Sequence, residues 1–168
     1  MKSIFKLLFA AFLTVAPITA NAQSNVAHIN VQQLISEMPE VIAAQNELAK
    51  LEKDYTTQID NAFKEFQTKA QSYSSDAANQ TDVTNQARQK ELESMQTNLQ
   101  EFRDSAAQEL QKKQMDLMTP LLEKARNAIT KVGEEQGFNY VIDSSPNGGI
   151  ILANGKDLLA DVKKELGF

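Results

Sequence analysis

The chain has no cysteine and no tryptophan, one histidine, four prolines and six glycines in 168 residues. Without cysteine there can be no disulfide framework and no thiol nucleophile. With His28 alone, neither a Ser-His-Asp triad nor a histidine-based metal site has convergent partners at suggestive spacing. No Gly-rich phosphate loop is present. All six glycines lie at Gly133 or beyond, and between Pro39 and Val132 the only proline is Pro120. A stretch of that length without chain breakers excludes an ordinary α/β or all-β domain. Aromatic residues are also few, at 7%, so no large aromatic core is available. An excess of basic charge is missing as well, because 17 Lys and Arg face 22 Asp and Glu. That balance disfavours nucleic acid and anionic membrane surfaces as partners.

Residues 39–132 are filled with Ala, Gln, Glu, Lys and Leu, the residues that lose least on entering a helix. Val41, Ala44, Leu48, Leu51, Tyr55, Ile59, Phe63, Phe66, Ala70 and Tyr73 recur at steps of three and four, one stripe of a helix. The two successive fours from Tyr55 to Phe63 form a stutter in a heptad seam. A second stripe runs Leu92, Met95, Leu99, Phe102, Ala106, Leu110, Leu117, Leu121, Ala125, Ile129 and Val132. Between the stripes, at about 71–87, Ser, Thr, Asn and Asp gather and the spacing fails. The reversal is expected near Ser74–Gln80, with Thr81 or Asp82 capping the returning helix. Each arm of this hairpin would be on the order of 60 Å long and would project. At Pro120 the apolar pattern continues on both sides, which predicts a kink rather than a stop.

Residues 1–22 read as a cleaved secretory signal: Lys2 and Lys6, an apolar run from Leu7 to Ala16, then Ala20-Asn21-Ala22. Cleavage between Ala22 and Gln23 is expected. The leader implies export to the periplasm, with no lipid anchor and no integral membrane anchor. Loss of Lys2 and Lys6 from the 17 basic residues leaves 15 against 22 acidic, a net charge of −7.

The remaining residues, 23–38 and 133–168, are short. Val26–Asn30 reads as a strand and Val31–Glu37 as a short helix broken before Pro39. Gly133 and Gly137 end the second arm, and Phe138–Asp143 and Ile150–Ala153 are expected to pair as a strand hairpin around a turn at 144–149. Asp157 would cap a last helix, Leu158–Leu166. The predicted fold is mainly α with a small β base (α+β), a long antiparallel helical hairpin projecting from a strand-based body. So small a sheet is marginal alone and its open edges invite another chain, so the body is expected to oligomerise. Val26, His28, Tyr140, Val141, Ile142 and Ile151 are the body residues expected to build that unit.

The whole stretch after the leader resembles the Skp (OmpH-like) periplasmic chaperones. The resemblance is carried by Ala27-His28-Ile29-Asn30-Val31-Gln32-Gln33-Leu34 with Met38-Pro39-Glu40. It continues in Pro120-Leu121-Leu122-Glu123-Lys124-Ala125, in Gly137-Phe138-Asn139-Tyr140-Val141-Ile142-Asp143, and in Lys156-Asp157-Leu158-Leu159. It implies a homotrimer whose strands form a small barrel and whose three hairpins enclose a cavity. It also implies a holdase for unfolded outer-membrane proteins that works without nucleotide. The residues themselves, with His28 alone and no Ser-His-Asp or Cys nucleophile, give the expectation of no cofactor, no metal and no enzyme activity. The arms depart from those of the best-known members, which are strongly basic. Residues 40–132 here carry 12 basic against 15 acidic residues. Apolar contacts and confinement would then carry more of the client binding than charge, and nothing marks a lipopolysaccharide site. Candidate client-binding residues are the arm aromatics Tyr55, Phe63, Phe66, Tyr73 and Phe102, each of which could instead be seam packing. A structural coiled-coil spacer of the cell envelope, without clients, is the other reading that periodicity allows.

Overall fold

The structure is a computed structural model and describes residues 25–146 and 148–168. The expected leader, 1–22, and the expected cleavage site at Ala22 and Gln23 lie outside the described residues. In order, the elements are β1 (Val26–Ile29), α1 (Val31–Glu37), α2 (Pro39–Asp76), a 3-10 turn (Ala77–Asn79), α3 (Asp82–Glu135), β2 (Tyr140–Asp143), β3 (Lys156–Asp157) and α4 (Leu159–Leu166).

The hairpin forms where the breaker-free stretch predicts it. Asn30 Oδ1 accepts from Gln33 N at 2.9 Å and starts α1. Met38 is extended at ψ 123°, as a residue before proline prefers, and Pro39 opens α2. The 38 residues of α2 span about 57 Å at the usual helical rise. After the 3-10 turn, Thr81 is the cap: its Oγ1 accepts from Thr84 N at 3.2 Å. Asp82 does not cap but stands in the first turn of α3, where a negative charge suits the helix dipole. At 54 residues α3 is the longer arm, and its surplus runs down into the base. It passes through Pro120 without a break.

Charge pairs close the hairpin along its length. Lys124 Nζ meets Glu40 Oε1 at 2.5 Å near the root, and Lys113 Nζ meets Glu47 Oε1 at 2.8 Å above it. Near the tip, Lys69 Nζ and the Tyr73 hydroxyl both donate to the Glu91 carboxylate, at 2.5 and 2.7 Å. Arg88 donates to Asp76 Oδ2 at 3.1 Å and lies 4.7 Å over the Tyr73 ring. These contacts hold the Glu91 and Asp76 carboxyls below their ordinary values, chiefly through the Lys69 and Arg88 hydrogen bonds respectively.

Two expectations at the base are corrected. Ile150–Ala153 is not a strand, and β2 does not form a hairpin with that segment. The sheet has the order β2-β1-β3 and both pairings are parallel: Val26 aligns with Tyr140, His28 with Ile142, and His28 with Asp157 on the other side. A parallel partner on the far side of β1 requires the chain to cross over, and residues 144–155 make that crossing. They cannot at the same time sit in a ladder with β2. Apolar composition alone suggested a strand, but Ile151 and Leu152 are largely solvent-exposed.

The second correction is the end of α3, which runs past Val132 to Glu135 with Gly133 buried inside it. A Cβ at Gly133 would lie 2.8 Å from Val141 Cγ2, so the bare Cα is what lets β2 approach the helix. The stop comes at Gly137, in the left-handed region at φ 74°. There Phe138 N bonds Gly133 O at 2.9 Å and Gly137 N bonds Glu134 O at 3.0 Å, the paired closure of a Schellman end.

The core lies at the base. Ala27 and Ile29 of β1, Leu34 of α1, Met38, Val41 of α2, Ala125, Ala128 and Val132 of α3, Leu158 just before α4 and Val162 within it form one buried cluster. The first and last described elements and both hairpin roots therefore meet there. Beyond Ala44, α2 has no buried residue, because a helix with a single neighbour can cover only one narrow stripe.

Burial sets two expectations for stability. Leu34 is 0% exposed, so Leu34→Ala should cost about 2–5 kcal/mol in a urea titration. Val83, at 76% exposure on the tip, should tolerate alanine within about 0.5 kcal/mol. Charge sets a third. Carboxyls held below their ordinary values stabilise the fold above those values and lose that contribution as pH falls through the lowered ones. Hydrogen exchange at the tip amides should therefore quicken as pH drops below the ordinary values of 4.5 for Glu91 and 3.8 for Asp76, once corrected for intrinsic exchange rates. Glu91→Gln should flatten that dependence.

Candidate functional site

The hairpin places the five arm aromatics in two environments. Tyr55 of α2 and Phe102 of α3 meet across the seam edge to face, with centroids 6.0 Å apart at 69°. A hydrogen bond to the Glu109 carboxylate raises the Tyr55 phenol above its ordinary value. Tyr73 is likewise raised by its bond to Glu91. These three residues, Tyr55, Tyr73 and Phe102, are thus engaged in contacts between the arms.

Phe63 and Phe66 differ. They stack on one another along α2 at 6.5 Å and 21°, and Phe63 is 40% exposed. With Leu99 and Arg103 of α3 they line an open groove of about 470 Å³. The Arg103 guanidinium lies 6.0 Å from the Phe63 ring centroid. The groove therefore offers apolar faces beside a cation, and its remaining wall is the polar Gln96, Thr97, Gln100 and Glu101. The chemistry available is contact with apolar and aromatic groups, not proton transfer. Among the described residues no cluster of His, Cys, Asp or Glu is arranged to hold a metal ion.

Arg103 was not legible as part of this feature, since an arginine on a charged helix face looks solvated. Its signal was positional. With the reversal near residues 79–80, residues equidistant from the tip face each other, which places 103 opposite 55–57, about two turns of α2 from Phe63. The same rule would have paired Lys69 with Glu91 and Lys113 with Glu47. Ile42, Met115 and Leu122 are further exposed apolar residues on the arms, outside the seam stripe as read from spacing.

At the base, strand alternation sorts the expected body residues. Ala27, Ile29 and Val141 face inward, and Val141 packs on α3 at Gly133. Val26, Tyr140 and Ile142 are exposed on the opposite face, and Ile151 is fully exposed on the crossover. His28 shares the outward face by register, and its Nδ1 lies 3.2 Å from Ser144 Oγ. Ile150 and Leu152 add to this apolar surface. On the other side of β2, Val31, Ile35, Leu122, Ile129, Phe138 and Tyr140 line an open groove of about 600 Å³.

Comparison with known proteins meets this geometry at the level of the whole chain. Residues 25–166 match the family described as outer membrane protein (OmpH-like). The chain is 27% identical to the chaperone protein Skp of Yersinia enterocolitica over 168 residues, covering 96% of this chain and 98% of that protein. It is 20% identical to the chaperone protein Skp of Pectobacterium atrosepticum, covering 90% of each. Among solved structures it is similar to an OmpH-like outer membrane chaperone of Caulobacter crescentus, with a TM-score of 0.77 and 12% identity over 86% of this chain and 85% of that one. At that identity the likeness is one of fold. The family match spans the hairpin and the base segments on both sides of it, and the chain belongs to the OmpH-like family.

Proposed function

We propose that this chain is an ATP-independent periplasmic holdase that binds unfolded outer-membrane proteins and keeps them from aggregating. The observation that carries the reading is the open aromatic groove at Phe63 and Phe66, partway along an arm whose apolar stripe is only half covered. An apolar surface left uncovered on a projecting arm suits transient contact with extended, apolar segments of many sequences. Such binding needs no bond-making step and no nucleotide. Relatives named as chaperones support the same reading.

The chain divides, in this reading, into the leader 1–22, a body of 23–38 with 133–168, and an arm of 39–132. Three bodies assemble through the outward sheet face, Val26, His28, Tyr140 and Ile142, together with Ile151. The apolar Ile150–Leu152 segment ahead of β3 and the groove beside β2 are different surfaces, so one copy can fill the next and close a ring. The three arms then bound a common space. Their slight excess of acidic charge leaves apolar contact and enclosure as the main sources of binding.

The cross-arm ion pairs and the seam-bound Tyr55, Tyr73 and Phe102 suit the competing reading of a client-free spacer. One experiment separates the two. An unfolded outer-membrane barrel protein is diluted from urea with and without the chain lacking its leader, and light scattering is followed without nucleotide. Suppression near three chains per client is expected. No suppression by a helical, oligomeric sample would favour the spacer reading. Phe63→Ser with Phe66→Ser should weaken client binding by about tenfold or more with helicity retained. Tyr140→Asp with Ile142→Asp should shift the assembly towards monomer in sedimentation.

A further inference from the structure

We propose that Asn154 is a site of spontaneous deamidation, and that the fold directs this reaction to Asn154 rather than to Asn147. The chain has two Asn-Gly dipeptides, Asn147-Gly148 and Asn154-Gly155, both in the crossover between β2 and β3. In each, the attacking group is the glycine's backbone nitrogen. It must lose its proton and reach the asparagine side-chain carbonyl carbon. A bond forms between that nitrogen and Cγ, the Cγ–Nδ2 bond breaks, and ammonia leaves with the proton. Water then opens the five-membered imide at either carbonyl to give aspartate or isoaspartate. The balance is one water consumed and one ammonia released, with no redox change.

The structure treats the two nitrogens differently. Gly148 N donates to Ser145 O at 2.7 Å, and a Cβ at Gly148 would lie 2.6 Å from Asp143 O. A donor engaged in a short bond resists deprotonation, and the close approach of Asp143 O leaves the Gly148 backbone little room to shift. Gly155 N has no such partner among the described residues. The reason is strand alternation. Leu158 N donates across the ladder to His28 O at 3.0 Å, which puts the amide of Lys156 on the same side. Within one protomer the Gly155 amide then points away from β1, off the outer edge of a sheet in which β3 is the last strand. Asn154 itself is exposed, lies outside any strand or helix, and makes no hydrogen bond among the described residues.

The consequence is structural. Gly155 lies close against β1, since a Cβ there would be 3.0 Å from Val26 O. Isoaspartate at 154 adds one backbone carbon immediately before β3, and either product adds a negative charge. Lys156 and Asp157 hold the β1 register and lead into α4, with Leu159 N donating to Asp157 Oδ1 at 2.9 Å. The modified chain should therefore hold β3 and α4 less firmly.

The test is peptide mapping by mass spectrometry of the folded full chain, aged in mildly alkaline buffer, beside a sample aged in urea. In urea the two dipeptides should convert at comparable rates. In the folded chain Asn154 should convert about fivefold faster than Asn147, the scale of one retained hydrogen bond. Isoaspartate-specific methylation should label the peptide holding residue 154, and Asn154→Ser should remove that label. Conversion at Asn147 equal to or faster than at Asn154 in the folded chain would overturn the proposal, as would folded chain that converts at neither. Asn154→Asp supplies the charge without the added carbon. If aged chain loses thermal stability and Asn154→Asp does not, the backbone insertion is the cause.

Discussion

Everything in this molecule depends on how little a two-helix hairpin can bury. Each arm has a single neighbour, so each can cover only one stripe. Beyond Ala44 no residue of α2 is buried, and on the free length of α3 only Leu99 and Ala106 are. Arms of this length would not hold their geometry on that seam alone, since most helical stability in proteins comes from packing. The hairpin is therefore rooted. Its two feet, Val41 on one side and Ala125, Ala128 and Val132 on the other, enter the cluster that β1, α1 and α4 complete. The core joins residues over a hundred positions apart and places all the deep burial at one end.

That arrangement shapes the rest of the surface. Small residues stand where helices must come close: alanines at 44, 106, 125 and 128, and glycine at 133, where even a methyl group would meet Val141. Ion pairs between the arms supplement a seam too thin to rely on apolar contact, and the Lys69-Glu91-Tyr73 and Arg88-Asp76 contacts stiffen the end furthest from the core. Surface that the seam cannot cover stays open. Phe63 is exposed and Phe66 only half-buried because the stripe is wider there than one partner helix can cover. On the body, the same shortage of partners leaves Tyr140, Ile142 and Ile151 facing outward. Two apolar surfaces thus remain after the chain has folded, and the proposed client binding and assembly each use one of them.

The spacing of Leu48, Leu51 and Tyr55, the absence of glycine from 39 to 132 and the polar run at 71–87 were enough to read the hairpin, its reversal and a cap at Thr81 or Asp82, between which the structure chose Thr81. These features are local: propensity, periodicity and capping act within a few residues, and a single chain displays them directly. The aromatics were legible as a set, but not their division into Tyr55, Tyr73 and Phe102 within the seam and Phe63 and Phe66 beside it. That division depends on which residues of α3 stand opposite, and so on the register of the hairpin.

The sequence by itself determined two long helices, their turn, and a short apolar alternation at each end of the chain. Only the tertiary structure decided how those ends combine. Ile150–Ala153 has the composition of a strand, yet Lys156–Asp157 takes the place beside β1, because parallel pairing sends the chain across the sheet before it can pair again. Gly133 looks like a helix stop, yet it is a contact point inside α3, because the helix end is set at Gly137 by two backbone hydrogen bonds and Gly133 is needed for the approach of β2. Strand order and close approach are properties of segments far apart in the chain. No local pattern encodes them, and they are settled only when the core brings those segments together.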